Sequence, residues 1–369
     1  MLKKILLVLT ILGVSSEMMA NESTMSKEKL EKKIGQMLMV GFHGTSVPKN
    51  SQICKDIQRY NLGAVILFDY NPVNKNRPKN IATKKQLAKL TQELQACSKD
   101  GKLLIAVDQE GGKVQRLKSK YGFYGKFPKA EDVRKMDASG IEKTYTKMSK
   151  ELKSVGINYD LAPVVDLSIN SKNHVIKGLG RSFGKSPKKV AKYASIFIDA
   201  MHTNGVLTSL KHFPGHGSSV GDTHKGFVDV TNLWKEIELE PYRLLKDKAD
   251  TVMVAHVFNK RLDAKYPASL SYATITKKLR WKLGYHGVVI TDDLQMGAIS
   301  KKYGLKNTLK LAINAGDDIL LFGNQLDPRK IVSTKKLVDT IYALIQSGEV
   351  KLESIEKANR RIQKLKEKL

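Results

Sequence analysis

Cysteine is nearly missing from this 369-residue chain: there are two, Cys54 and Cys97. Two cysteines 43 positions apart carry no metal-ligand spacing, which excludes a cysteine-based metal framework. Both fall in helix-like segments, and their positions leave a disulfide and a pair of reduced, partly buried thiols equally open. Long apolar runs are lacking as well: Ile5 to Val14 is too short for a comfortable membrane span. No low-complexity segment and no Pro-rich or Gly-Ser-rich tether divides the chain into halves. The glycine-rich run Gly178-Leu179-Gly180-Arg181-Ser182-Phe183-Gly184 lacks a Gly-Lys-Ser/Thr ending, so it is not a phosphate loop. Acidic residues are scarce beside basic ones, 36 against 64, for a formal net charge of +28. That excess invites a nucleic-acid or anionic-surface partner. The lysines are spread over many segments, however, and no helix gathers them among stacking aromatics. Solvated helix faces explain them better, although a basic surface would still favour approach to a polyanionic envelope.

What is present is an ordinary folded composition, 41% hydrophobic, 27% charged and 7% aromatic. Lys3-Lys4, the apolar run and the small residues Ser15, Ser16 and Ala20 form a secretory signal over residues 1–20. No cysteine lies there, which argues against a lipid anchor. The expected localisation is therefore export, to a periplasm, with no stable membrane insertion once the signal is cut. Beyond it, eight short aliphatic runs alternate with helical periodicity. They are 37–42, 64–68, 103–108, 159–165, 206–210, 252–256, 288–291 and 319–322. None shows clean polar alternation, as parallel strands buried on both faces require. Such a series predicts an α/β fold, a single (β/α)8 TIM-type barrel over 24–369, with a doubly wound sheet as the competing architecture. The basic amphipathic segment 352–369 is expected to close the side of the barrel.

The polar residues of interest fall where the strands end: Asp108, Asp166, Lys211-His212, His256 and Asp292. Catalytic groups of barrels gather at that end. Asp292-Asp293 offer a carboxylate that attacks carbon and one that caps the next helix, with no local sign of which does which. Asp222-Thr223-His224 places a carboxylate beside an imidazole, a pairing suited to proton transfer or to a plain surface turn. Asp108-Gln109-Glu110-Gly111-Gly112, followed by Arg116, combines hydrogen-bond acceptors with glycines that admit a ligand to the backbone. A divalent cation between Asp108, Asp166 and Asp292 is the competing reading, disfavoured by Lys211 at the same mouth. Arg181 offers a fork of donors for a ligand or for a neighbouring loop. His174, His202 and His286 read as surface or packing residues. The stretch Lys211 to Gly226, with three histidines and four glycines, is a long functional loop rather than a helix or strand.

These residues occur in the order of a known family. Asp108-Gln109-Glu110-Gly111-Gly112-Lys113-Val114-Gln115-Arg116, Gly180-Arg181-Ser182-Phe183-Gly184, Lys211-His212-Phe213-Pro214-Gly215-His216-Gly217, Asp222-Thr223-His224 and Thr291-Asp292-Asp293-Leu294 resemble glycoside hydrolase family 3. They are most similar to its bacterial β-N-acetylglucosaminidase (β-N-acetylhexosaminidase) branch, which the Asp-x-His dyad separates from the β-glucosidases. The resemblance covers roughly residues 30–345. It implies a retaining glycosidase on a barrel, needing no metal and no organic cofactor. It also implies Asp292 as nucleophile and His224 as general acid/base oriented by Asp222. By the same resemblance Asp108, Arg116, Arg181, Lys211 and His212 bind the N-acetylglucosamine, and a mobile loop Gly215–Gly226 carries the acid. Two departures stand out. Lys113 replaces an arginine common in relatives, and the signal is missing from many Gram-negative relatives. The second domain of larger relatives is not expected.

The expected activity is exo-hydrolysis of terminal β-linked GlcNAc from a GlcNAc-containing glycan or muropeptide, with no nucleic acid involved. A β-glucosidase or β-xylosidase of the same family, a GlcNAc phosphorylase, and a non-enzymatic basic envelope binder are the alternatives.

Overall fold

In the computed structural model, which describes residues 25–369, the aliphatic runs become eight strands. They are β1 (Leu38–Gly41), β2 (Ala64–Ile66), β3 (Leu104–Val107), β4 (Tyr159–Asp160), β5 (Leu207–Phe213), β6 (Thr251–Val254), β7 (Val288–Thr291) and β8 (Leu320–Phe322). Every residue in them is buried, the physical reason that the runs show no polar alternation. The secretory signal expected over residues 1–20 lies outside the described residues.

All pairings are parallel, running from β7 in sequence order back to β1 and then to β8. A parallel bridge between Ile290 and Ile319 joins the two ends, with the Thr291 N–H donating to the Ile319 carbonyl at 3.0 Å. The ring thus closes, and the doubly wound alternative, which leaves two sheet edges, is set aside. A helical segment follows each strand: Gln52–Tyr60, Lys84–Cys97, Ala138–Ser154, Pro187–His202, Glu240–Leu245, the π-helical Ala273–Lys282, Gly304–Ala315 and Thr334–Gln346. Local chemistry marks their ends. Thr83 and Gln86 form a reciprocal capping box at the start of Lys84–Cys97, and Gly316 ends Gly304–Ala315 with φ 108°. Cys54 and Cys97, each buried on one of two neighbouring helices, form a disulfide with Cα atoms 5.3 Å apart.

Three expectations need correction. The fourth strand is regular only over Tyr159–Asp160, because Pro163 has no N–H to donate; pairing resumes as a bridge between Val164 and Lys211. The fifth strand does not stop before Lys211-His212 but runs through them to Phe213. The carbonyls of Lys211 and Phe213 accept the N–H groups of Val165 and Ala255, at 2.9 and 2.8 Å, so backbone pairing continues although the side chains turn polar. The final helix, Leu352–Lys366, does not close the barrel side. It lies across the end where the strands begin: Asn359 bonds to the Lys33 carbonyl, Lys366 to Gln36 and Arg361 to Asp318, with Lys368 just beyond it on Asp250. Gln36, Asp250 and Asp318 stand just before β1, β6 and β8, and their polar groups draw the basic face there. This leaves the opposite mouth open.

Candidate active site

The loops that leave the strands enclose a cleft of about 350 Å³ at that open mouth. All eight residues to which the resemblance gives a catalytic or sugar-binding role line it: Asp108, Arg116, Arg181, Lys211, His212, Asp222, His224 and Asp292. Glu110, His216 and Asp293 join them, while Lys113 stands exposed at the rim.

One wall is a lattice of alternating charge. Asp108, directly after β3, accepts from Arg116 at 3.1 Å and from Lys211 at 2.9 Å. Glu110 accepts both arms of the Arg181 fork, at 2.8 and 2.7 Å, and lies 2.8 Å from Lys211. Burial works against every one of these charges, but the partners outweigh it. Lys211 and Arg116 hold Asp108 well below the usual carboxylate range, and Arg181 and Lys211 lower Glu110 to about 2. The three cations are raised in turn by the two carboxylates. Buried pairs of this kind fix orientation more than they add stability. The result is a rigid set of ionised donors and acceptors suited to sugar hydroxyls. Both readings of Arg181 therefore apply: it faces the cleft and forms an ion pair with a neighbouring loop.

Lys211 and His212 are consecutive in β5, yet both face the cleft. The register against β6 shifts between Lys211 and Phe213, and that irregularity breaks the usual alternation of side chains. Asp166, fully buried, accepts from His212 Nδ1 at 2.6 Å and from the His216 N–H at 2.8 Å. Burial raises its pKa, but His212 and then His216 bring it below the ordinary value, so the carboxylate accepts and the hydrogen of His212 sits on Nδ1. Asp108, Asp166 and Asp292 are thus separately engaged, and among the described residues they form no metal cluster.

At the end of β7 the two aspartates divide. The Asp293 carboxylate caps the following turn, accepting the Gln295 N–H at 3.0 Å, and its own N–H donates to Asp292 Oδ1 at 2.8 Å. Burial, helped by the Asp292 charge, pushes Asp293 up to about 6. Asp292 feels burial too, but His256, His212 and His224 and the Asp293 N–H carry it below the ordinary aspartate value. His256 is buried, its pKa lowered by that burial; Nε2 donates to the Asp293 carbonyl at 2.9 Å and Nδ1 meets Ser269 Oγ at 2.7 Å.

In the loop after β5, Asp222 Oδ1 accepts both the His224 N–H at 3.0 Å and Nδ1 at 2.8 Å. Burial raises Asp222, but the His224 N–H and imidazole more than offset it, so the carboxylate is ionised. Nδ1 is committed to Asp222, which leaves Nε2 to serve a ligand. The root of this loop is tightly packed: Trp234 Nε1 bonds to the Pro214 carbonyl at 3.0 Å, and a Cβ on Gly217 would overlap the Leu167 carbonyl. Gly217 is thus a packing glycine, not a hinge.

Sequence reasoning noted Glu110 and Asp166 but assigned neither a catalytic nor a sugar-binding role. The signal for Glu110 was its place two residues after Asp108; for Asp166, its place at the end of the fourth run. His202 pairs with Asp250 at the far end of the barrel, outside the site.

The glycosyl hydrolase family 3 N-terminal domain matches residues 29–365. A β-hexosaminidase of Tolumonas auensis is 36% identical over 269 residues, 71% of this chain and 76% of that protein. β-Hexosaminidase A of Pseudoalteromonas piscicida is 32% identical over 336 residues, 85% of this chain and 54% of that protein. A glycoside hydrolase family 3 β-N-acetylglucosaminidase structure from Paenibacillus superposes with a TM-score of 0.81 at 33% identity, covering 92% of this chain and 62% of that one. A β-N-acetylhexosaminidase structure from Beutenbergia cavernae gives 0.80 at 28% identity, covering 92% and 98%. The chain thus spans little more than half of the Pseudoalteromonas relative and nearly all of the Beutenbergia one. With the barrel, the strand-end motifs and these matches in agreement, the chain belongs to glycosyl hydrolase family 3.

Proposed function

We propose that this protein is a retaining exo-β-N-acetylglucosaminidase that removes terminal β-linked GlcNAc from peptidoglycan fragments. The observation that carries the reading is the Asp222–His224 dyad lining one cleft with Asp292, a carboxylate held below its ordinary pKa. The relatives named β-hexosaminidase support the substrate class.

In the first step the Asp292 carboxylate attacks the anomeric carbon. The bond from that carbon to the leaving oxygen breaks, and His224 Nε2–H gives its proton to that oxygen. A glycosyl ester on Asp292 results. In the second step neutral His224 takes a proton from water, the water oxygen attacks the same carbon, and Asp292 is released as a carboxylate with overall retention. Asp222 keeps the Nδ1 hydrogen in place throughout. The lattice of Asp108, Glu110, Arg116, Arg181 and Lys211, with His212, holds the sugar. An imidazole in place of a second carboxylate avoids an added negative charge beside an anionic wall fragment. Export fits a basic surface and the Cys54–Cys97 disulfide, which favours an oxidising compartment.

Trapping with a 2-fluoro sugar and mapping the labelled peptide tests the mechanism. The label is expected on Asp292; a label on Asp293 overturns the assignment. Faster turnover of nitrophenyl β-glucoside than of nitrophenyl β-GlcNAc would reject the sugar specificity. Sugar 1-phosphate formed in proportion to added phosphate would make the enzyme a phosphorylase instead. Export is checked by finding the protein, shortened at its N-terminus, in the periplasmic fraction.

A further inference from the structure

We propose that Gly297 is a positioning residue: with Ala298 it docks the segment bearing His224 onto the loop bearing Asp292. The inference rests on the reading of His224 as the proton donor.

The observation is a set of three consecutive carbonyls held by one short stretch of chain. The Thr223 carbonyl accepts the Ala298 N–H at 3.2 Å, and the His224 carbonyl accepts the Gly297 N–H at 3.2 Å. The Lys225 carbonyl accepts Lys301 Nζ at 2.9 Å. All three donors follow β7 and belong to the same excursion that begins with Asp292-Asp293. Among the described residues the His224 imidazole hydrogen-bonds only to Asp222, in its own loop, and the side chain is 54% exposed. No side-chain bond therefore ties the imidazole to the barrel. Its position relative to Asp292 is set through the backbone, and these carbonyls are the ties nearest to it.

Residue 297 must be glycine for this contact. A Cβ built there would lie 2.9 Å from both the His224 and the Lys225 carbonyl oxygens. Atoms that close must move apart, and the backbone on both sides leaves the loop as the part to yield. The backbone conformation of Gly297 itself is not of the left-handed kind. A side chain there is excluded by the approach of the loop, not by the torsion angles. Alanine is also the better helix former, so its introduction into Gly297–Ser300 does not oppose the local fold.

The test is a leaving-group comparison on Gly297→Ala and Gly297→Val. A displaced acid matters only when the departing oxygen needs a proton. The variants should therefore lose at least about tenfold in kcat/KM on an alkyl β-GlcNAc glycoside, with no more than about twofold on the dinitrophenyl glycoside, and the Val variant should be worse. Equal losses on both substrates, or no loss on either, would overturn the proposal. Hydrogen exchange read on peptides covering 220–226 and 294–300 tests the docking without any substrate. Exchange should rise in both peptides of the variants, and unchanged exchange overturns the docking whatever the activity. If the wild type turned over neither glycoside, the assigned activity would fail, and the exchange data would still decide the contact.

Discussion

Asp292 and Asp293 are the same residue one position apart, and the protein makes them different acids. The cause is distance to charge: Asp292 faces His256, His212 and His224, while Asp293 is buried, turned toward backbone N–H groups and repelled by Asp292. The consequence for stability has a definite sign. Asp293 has a native pKa of about 6 against 3.8 for an ordinary aspartate. Between those values the native state holds a proton that the unfolded chain has released, so stability falls as pH rises through that window. Asp293→Asn keeps an acceptor for the Gln295 N–H and removes the penalty. It should unfold about 1–2 kcal/mol harder than the wild type at pH 8, with the two curves converging near pH 3.8, as read by denaturant titration. Glu110 offers a second test at this scale. Glu110→Gln weakens the hold on Arg181 and Lys211 without opening a void. KM for a β-GlcNAc glycoside should rise about tenfold with a smaller change in kcat; an unchanged KM would show that the lattice is not shaping the sugar site.

At the scale of elements, the strands were legible because burial on both faces leaves a plain aliphatic signature. The helical periodicity between the strands was legible as well, and Lys84–Cys97 is one of the helices that fill those intervals. The polar end of β5 was misread because local polarity argues against a strand, whereas Lys211 is neutralised there by Asp108 and Glu110 from the loop after β3. Nor could periodicity say which part of the barrel the last helix would cover. Its partners Gln36, Asp250 and Asp318 come from distant parts of the chain. The disulfide belongs to this scale, because it ties helix Gln52–Tyr60 to helix Lys84–Cys97 across 43 residues. Loop closure of that length stabilises by up to about 4 kcal/mol. Reduction, or the double substitution Cys54→Ser with Cys97→Ser, should lower unfolding stability by about 2–4 kcal/mol and leave KM unchanged, since the bridge does not line the cleft.

For the whole molecule, two features act together: a closed barrel with one mouth capped, and a formal charge of +28. The long-range field of such a surface favours encounter with anionic glycan fragments and is screened by salt. Raising ionic strength from about 0.02 to about 0.2 M should lower kcat/KM severalfold for an acidic wall fragment and leave a neutral chromogenic glycoside nearly unaffected. Equal salt dependence for the two substrates would assign the lysines to solubility alone.

The amino-acid sequence by itself determined the alternation of eight buried strands with helices and the identity of the residues near the strand ends, because aliphatic runs and turn-forming motifs act over a few positions. Only the tertiary structure decided which carboxylate meets which cation, which of two adjacent aspartates is the stronger acid, whether two cysteines join, and which end of the barrel stays open. Those outcomes depend on charges and backbone groups brought within a few ångströms from distant parts of the chain. Coulomb energies and burial depend on that separation in space, and spacing along the sequence does not encode it.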